Sequence, residues 1–195
     1  VQMQAHANTI LKLYGRSRGR AAEHWGEEYL ESDKLIHKLG HPEMAASQWE
    51  QQDPQSRQIL TAFVDGMNAY ARQHPEAVTD DNQGVLPISV TDVNLHSLFV
   101  VNTRFVGARE LGKASNWEEK GSNTYAVGPS HSASGKAMLV QNPHLPWSEQ
   151  YLFFEKHLKT PQHNIYGVGL VGLPGFAIAF NDVLGWSHTN NTIDN

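Results

Sequence analysis

The chain has 195 residues, of which 39% are hydrophobic and 18% are charged, and its formal net charge is −5 at pH 7 with neutral histidines. This balance argues against intrinsic disorder, and the negative charge gives a nucleic-acid partner no electrostatic support. Cysteine is absent, which excludes disulfides, thiolate metal sites and a cysteine nucleophile, and no apolar run approaches the roughly 20 residues that span a bilayer, so we expect no membrane partner.

Helical spacing dominates the first half of the chain. A first helix is predicted over residues 1–14 with Gly15 as its stop, and a second over residues 19–30. Thr91-Asp92 is expected to cap a further helix, after a polar loop over residues 80–84. Because the chain begins inside an uncapped helix and ends soon after a strand, we expect it to be a piece of a longer protein.

The strongest helix signal begins at Asp53-Pro54, where a capping residue precedes a proline at the first helical position. The apolar residues that follow recur at spacings of three and four, which predicts an amphipathic helix with one buried stripe. That stripe contains Ile59, Leu60, Phe63, Val64, Met67 and Tyr70.

From Gly121 onward the sequence has the shorter period of β-strands. Gly172, Pro174 and Gly175 interrupt the longest apolar stretch, which therefore predicts two strands with a bend between them. Strands are expected over residues 122–128, 136–141 and 151–158, twice within 166–180, and over 183–189. Helices followed by strands predict the α+β class.

Ser122 lies where the helical pattern gives way to strands. Gly-Ser-Asn is a common turn sequence, so on its own this serine is most simply a turn residue. An ordered series of short blocks continues downstream, and it changes this interpretation. The blocks are Gly121-Ser122-Asn123, Ala126-Val127-Gly128, Ser134-Gly135-Lys136, Met138-Leu139, residues 142–147 (NPHLPW), Gly172-Leu173-Pro174 and Trp186-Ser187-His188-Thr189.

Together these blocks resemble the start of the β chain in the penicillin acylase family of N-terminal-nucleophile hydrolases, most closely its acyl-homoserine lactone and aculeacin acylase branch. The resemblance implies a fragment of an αββα sandwich. It divides the chain into a helical α-chain part over residues 1–113, a linker over 114–121 and the start of the β chain over 122–195. It also implies a precursor that cuts itself between Gly121 and Ser122.

The chemistry implied by the resemblance is amide hydrolysis through an acyl-enzyme on Ser122. A serine hydroxyl needs a base at neutral pH, and a free α-amine, with a pKa of about 7.7–8.0, can serve as one. The resemblance gives His144 the role of orienting this amine through water. It gives Asn190 a backbone N–H for the oxyanion, while the second donor is expected beyond residue 195, which leaves the site of this piece incomplete.

Other residues correspond by resemblance to the acyl pocket. Arg104 and Phe105 match an Arg-Phe pair that borders substrate in the family, although a core Phe beside a surface Arg is an equal alternative. Four apolar residues are also expected to line or support the pocket, which suits acyl chains because each buried CH₂ contributes about 0.8 kcal/mol. They are Leu145, Trp147, Leu173 and Phe176.

The resemblance implies no organic cofactor. Asp194 falls where several family members place a calcium ligand, and Glu110 lies near another such position. Calcium needs six to eight oxygen ligands, so two carboxylates leave a structural calcium ion as an open alternative. The expected partners are a small N-acyl amide substrate and the rest of the chain's own precursor. By resemblance the location is the periplasm or the exterior.

Two other functions are alternatives. Several histidines suggest a metallohydrolase, but none has an HExxH or comparable ligand spacing. A stronger alternative is a scaffold of the same family, or an isolated fragment, without catalysis of its own. The presence of Ser122, Asn123 and His144 favours an active full-length protein. Among substrates, N-acyl homoserine lactones come first, followed by β-lactam side-chain amides and acylated lipopeptides.

Overall fold

A computed structural model describes residues 1–106 and 121–189, without the side chains of residues 104 and 106. It contains two compact units. The described part of the helical unit is residues 1–106 with the segment Val171–Pro174, and that of the strand unit is residues 121–170 with 175–189. Helices and antiparallel sheets are both present, so the predicted α+β class is confirmed. The implied αββα sandwich stays a prediction.

The helical unit contains seven α-helices within residues 1–106, and the last of them continues into a π-helix, Val101–Val106. The α-helices are α1 (Gln2–Ser17), α2 (Ala21–Trp25), α3 (Leu30–Lys38), α4 (His41–Gln51), α5 (Pro54–Gln73), α6 (Asp80–Gln83) and α7 (Val90–Val100). Short 3-10 turns lie at Glu27–Tyr29 and Pro75–Ala77. No helix among the described residues has the length and apolar character needed to cross a bilayer.

Helix α1 forms the centre of this unit, because it packs against α7, α5 and α2. Its residues Ile10, Leu11 and Tyr14 are fully buried. Burying a large apolar side chain contributes about 1.5–3 kcal/mol, so α1 is a main source of the stability of the unit. Helix α4 packs on α7 around Ala45 and the leucines of α7.

The predicted start of α5 is confirmed. Asp53 is its N-cap, and its Oδ1 accepts hydrogen bonds from the backbone N–H groups of Gln55 at 2.9 Å and Ser56 at 3.0 Å. The buried stripe is shorter than predicted. It consists of Val64, Met67 and Ala71, whereas Ile59 is 53% exposed. The first turns of α5 therefore extend beyond the core.

Two predicted helix ends are wrong, both because of glycine. Gly15 does not stop α1, which continues to Ser17. A Cβ at Gly15 would lie 2.5 Å from the Trp25 ring, so this glycine permits close packing inside the helix. The helix predicted over residues 19–30 is interrupted after Trp25, because Gly26 has φ 111°, a conformation that favours glycine.

The region before α7 also differs from its prediction. The polar stretch predicted as a loop forms the short helix α6. Helix α7 begins earlier than expected, with Ser89 as its N-cap. The Ser89 hydroxyl accepts from the Asp92 N–H, and the Asp92 carboxylate accepts from the Ser89 N–H at 2.7 Å. Thr91 is therefore not the capping residue, although Asp92 does take part in the capping box.

The strand unit contains two antiparallel sheets within its described residues. One is the hairpin of β1 (Ser122–Val127) and β2 (Met138–Pro143), and the other has the order β3 (Phe153–Lys159), β4 (Asn164–Leu170), β5 (Ile178–Phe180) and β6 (Gly185–Trp186). The predicted bend between two strands is confirmed as the break between β4 and β5. The strand predicted over 183–189 is only two residues long, because the Asn181 side chain accepts from the N–H groups of Val183 and Leu184 in a turn.

The segment Val171–Pro174, which follows β4, docks on α1 through buried hydrogen bonds. Gln2 accepts from the N–H of Gly172 at 2.9 Å and donates to the carbonyl of Leu173 at 3.0 Å. The Tyr14 hydroxyl donates to the Gly172 carbonyl at 2.5 Å. Because unpaired buried polar groups cost free energy, these side chains and the 171–174 segment satisfy each other.

His96 of α7 completes the docking of the 171–174 segment. Its Nε2 lies 3.2 Å from the Val171 carbonyl, which can only accept, so Nε2 carries the proton and Nδ1 faces the Ser17 hydroxyl at 3.4 Å. Burial lowers the pKa of His96 from its ordinary 6.5 to about 4; the nearby Arg16 charge also lowers it, and the Val171 hydrogen bond partly opposes the shift. The ring is therefore neutral at pH 7.

This shift predicts acid sensitivity. Between pH 6.5 and 4 the unfolded chain binds a proton at His96 that the folded chain does not, so stability is lost as pH falls through that window. A pKa lowered to about 4 corresponds to a loss of about 3 kcal/mol in the free energy of unfolding. Urea unfolding at several pH values should show a steeper loss in the wild type than in His96→Gln. The prediction would be contradicted if the free energy of unfolding fell equally with pH in the two proteins.

Candidate active site

The β1–β2 hairpin brings Gly121, Ser122 and His144 together. Ser122 is the first residue of β1 and lies opposite Pro143, the last residue of β2. One step beyond this pair, the backbone N–H of His144 donates to the carbonyl of Gly121 at 3.2 Å. The carbonyl of the predicted scissile peptide is thus held by main-chain hydrogen bonding.

The position of this bond defines the direction of the Ser122 backbone. In an antiparallel ladder, hydrogen-bonded and non-hydrogen-bonded residue pairs alternate, so the bond between Gly121 and His144 makes Ser122 and Pro143 a non-hydrogen-bonded pair. The N–H and C=O of Ser122 therefore point away from β2, and Pro143 sits where its missing N–H costs no ladder bond. On that outer side the Thr189 hydroxyl donates to the Ser122 carbonyl at 2.9 Å.

The Ser122 side chain is half-buried, and within the described part of the chain its hydroxyl has no hydrogen-bond partner. The His144 side chain is exposed. A serine hydroxyl becomes nucleophilic through a neighbouring base, and here the nearest group of that kind would be its own α-amine once freed. The arrangement can therefore support acyl transfer from Gly121 to Ser122.

Residues 185–189 support one face of the hairpin. The Thr124 hydroxyl donates to the Ser187 hydroxyl at 3.0 Å, and a Cβ at Gly185 would lie 2.9 Å from the Leu139 side chain. Sequence reasoning did not single out Thr189 as a site residue. Its only signal was membership of the Trp186-Ser187-His188-Thr189 block, which matched the family as a unit.

The predicted pocket residues fall in both units. Phe105, in the π-helix, and Leu173, in the docked segment, belong to the helical unit, while the side chain of Arg104 lies outside the description. In the strand unit Leu145 is half-buried and Trp147 is 94% exposed. Their assembly into one acyl pocket stays a prediction.

Phe176, the remaining predicted pocket residue, is half-buried in the strand unit. The ammonium group of Lys156 lies 4.7 Å from the centroid of its ring and donates to the Gly175 carbonyl at 2.8 Å. Burial lowers the pKa of Lys156 to about 8. Phe176 therefore stacks with a cation on one face, which the sequence did not indicate.

Three predicted residues lie outside the described residues. They are Asn190, the predicted oxyanion donor, and Asp194 and Glu110, the two candidate calcium ligands. Within residues 1–106 and 121–189 no group of three or more His, Asp or Glu side chains could hold a metal ion. The calcium alternative therefore stays untested.

The model of the penicillin amidase family matches residues 1–195. The chain belongs to the penicillin amidase family. This confirms the resemblance drawn from the sequence blocks around Ser122.

Curated relatives match this chain over different lengths. The acyl-homoserine lactone acylase PvdQ of Pseudomonas savastanoi is 32% identical, over 83% of this chain and 25% of the relative. The aculeacin-A acylase of Actinoplanes utahensis is 38% identical, over 37% of this chain and 9% of the relative. The acyl-homoserine lactone acylase QuiP of Pseudomonas aeruginosa is 33% identical, over 45% of this chain and 10% of the relative. This chain spans about a quarter of the length of the first of them.

Proposed function

We propose that this chain is part of an acylase that hydrolyses N-acyl amides with Ser122 as its nucleophile. The observation that carries the proposal is the arrangement at the head of β1. There the Gly121 carbonyl is held by the His144 N–H beside a serine whose hydroxyl has no partner among the described residues. Membership of the penicillin amidase family supports the same chemistry.

The enzyme is made active by cutting its own chain between Gly121 and Ser122. In the uncut chain the Ser122 nitrogen is part of a peptide and cannot act as a base. The cut converts it into an α-amine with an ordinary pKa of about 7.7–8.0, which can accept the proton of its own hydroxyl. The imidazole of His144 orients this amine through a water molecule, and the N–H of Asn190 donates to the oxyanion.

The proposed substrates are N-acyl homoserine lactones, followed by β-lactam side-chain amides and acylated lipopeptides. The name of one relative, acyl-homoserine lactone acylase, supports the first of these classes, and the description of the family, penicillin amidase, supports the second. The acyl chain would contact Phe105, Leu145, Trp147, Leu173 and Phe176, with Arg104 at the border. This chemistry requires no cofactor, and calcium has no step in it. The proposed location is the periplasm or the exterior, and the partner is the rest of the precursor.

The test is the intact mass and N-terminal sequence of the purified full-length protein, followed by incubation with N-acyl homoserine lactones of increasing chain length. We expect two chains, one of which begins at Ser122, and release of free homoserine lactone with the matching fatty acid. A folded protein that stays in one piece and releases no acid would instead favour the inactive scaffold. A precursor that cuts itself before Ser122 but releases no fatty acid from these lactones would contradict the proposed substrate class and would still support Ser122 as the nucleophile.

A further inference from the structure

The acceptor of the His144 N–H is the carbonyl that self-cleavage would attack. The two atoms lie 3.2 Å apart, slightly longer than the usual 2.9–3.0 Å of a backbone hydrogen bond. A bond of this length can shorten when the oxygen gains negative charge. The donor is therefore placed at the atom where charge would develop.

We infer that the backbone N–H of His144 is the oxyanion donor of the self-cleavage reaction, a role separate from that of the His144 imidazole. The inference rests on the proposed function, since it concerns the reaction that generates the Ser122 amine. It assigns two roles to one residue at two stages. The main chain acts while the precursor is intact, and the side chain acts in the cut enzyme.

The local backbone supports this role because the peptide groups on both sides of the Ser122 Cα are anchored. On one side the His144 N–H, which holds the Gly121 carbonyl, directly follows β2 and its last residue, Pro143, whose ring fixes its own φ. On the other side the Thr189 hydroxyl holds the Ser122 carbonyl at 2.9 Å. The two peptide groups that flank the Ser122 Cα are thus anchored to opposite edges of β1. This limits rotation of the scissile group and keeps its oxygen on the donor.

The reaction is an acyl shift followed by hydrolysis. The Ser122 Oγ bonds to the Gly121 carbonyl carbon, and the carbonyl oxygen carries the negative charge that the His144 N–H stabilises. The bond from this carbon to the Ser122 nitrogen then breaks, and the hydroxyl proton ends on that nitrogen. Water hydrolyses the resulting ester, which leaves a carboxylate on Gly121 and restores the Ser122 hydroxyl.

The test removes one N–H and keeps the side chain. In the full-length precursor, His144 is replaced by its α-hydroxy acid analogue, so that an ester oxygen takes the place of the amide N–H. The matched control carries the same exchange at Val140, which pairs with Tyr125 in the same hairpin. Each variant loses one main-chain donor to the β1 side of the hairpin, and neither gains bulk. The rate of appearance of the chain that begins at Ser122 is measured by mass spectrometry.

Loss of one oxyanion donor lowers a rate by roughly 100- to 1,000-fold, so we expect a slowing of about this size for the His144 analogue and of a few-fold at most for the Val140 analogue. Equal rates for the two analogues, whether slowed or not, would overturn the inference. A wild-type precursor that never cuts would overturn the proposed function as well. A wild type that cuts, with a His144 analogue that cuts equally fast, would overturn this inference alone.

Discussion

Ser122→Ala in the full-length protein should leave a single uncut chain and no measurable acylase turnover. The variant removes the oxygen that attacks the Gly121 carbonyl, and it also prevents formation of the α-amine that would serve as base. Both steps depend on one atom, so we expect turnover to fall by about 1,000-fold or more. Intact mass and release of homoserine lactone measure the two effects separately.

Two further variants separate the chemistry at Ser122 from a change in folding. Ser130→Ala alters an exposed serine in the 3-10 turn between β1 and β2, and it should cut and turn over like the wild type. Ser122→Cys keeps a nucleophile at the same position and should still cut, at a different rate. A Ser122→Ala protein that yields a chain beginning at residue 122 would rule out this nucleophile.

Gly172→Ala should destabilise the helical unit by about 2–3 kcal/mol. Gly172 has φ 86°, where a side chain costs about 1–2 kcal/mol. A Cβ there would also lie 3.2 Å from the His96 ring and 3.3 Å from the Tyr14 ring, which is closer than ordinary contact. Both rings bind the docked segment, so overpacking at this point adds to the backbone strain.

Gly175→Ala is the matched control, since a Cβ at Gly175 would meet nothing within 4 Å. Hydrogen exchange of the α1 backbone amides in the full-length protein reports the local opening free energy of each variant. Exchange should be faster in Gly172→Ala and unchanged in Gly175→Ala. Equal protection of α1 in both variants would show that the docked segment contributes little to this unit.

Local signals predicted part of the fold. The cap at Asp53 and the bend between β4 and β5 follow from residues that act on their immediate neighbours, and both are confirmed. Gly15 looked like a helix stop because its role depends on the Trp25 ring, which packs against it from another helix. Helices α3 and α4 were not predicted, and each has only one buried apolar residue, Ile36 in α3 and Ala45 in α4.

The candidate site was predicted in a similarly uneven way. The cleavage point between Gly121 and Ser122 was predicted from a family resemblance, because the residues around Ser122 by themselves indicate only a turn. That the His144 main chain would hold the Gly121 carbonyl depends on strand register, which no residue type reveals. The hydroxyl of Thr189 likewise reaches Ser122 only because the chain returns to β1 after 67 residues.

The docked segment has a consequence for biosynthesis. The ribosome completes residues 1–106 well before residue 174, yet Gln2, Tyr14 and His96 find their buried partners only in residues 171–173. The helices therefore cannot complete their internal hydrogen bonding until the hairpin that carries Ser122 has also been translated. A gene split between codons 121 and 122 would make a first product that lacks both these partners and the segment that covers them, so its helices would gain the docking hydrogen bonds only with the second product.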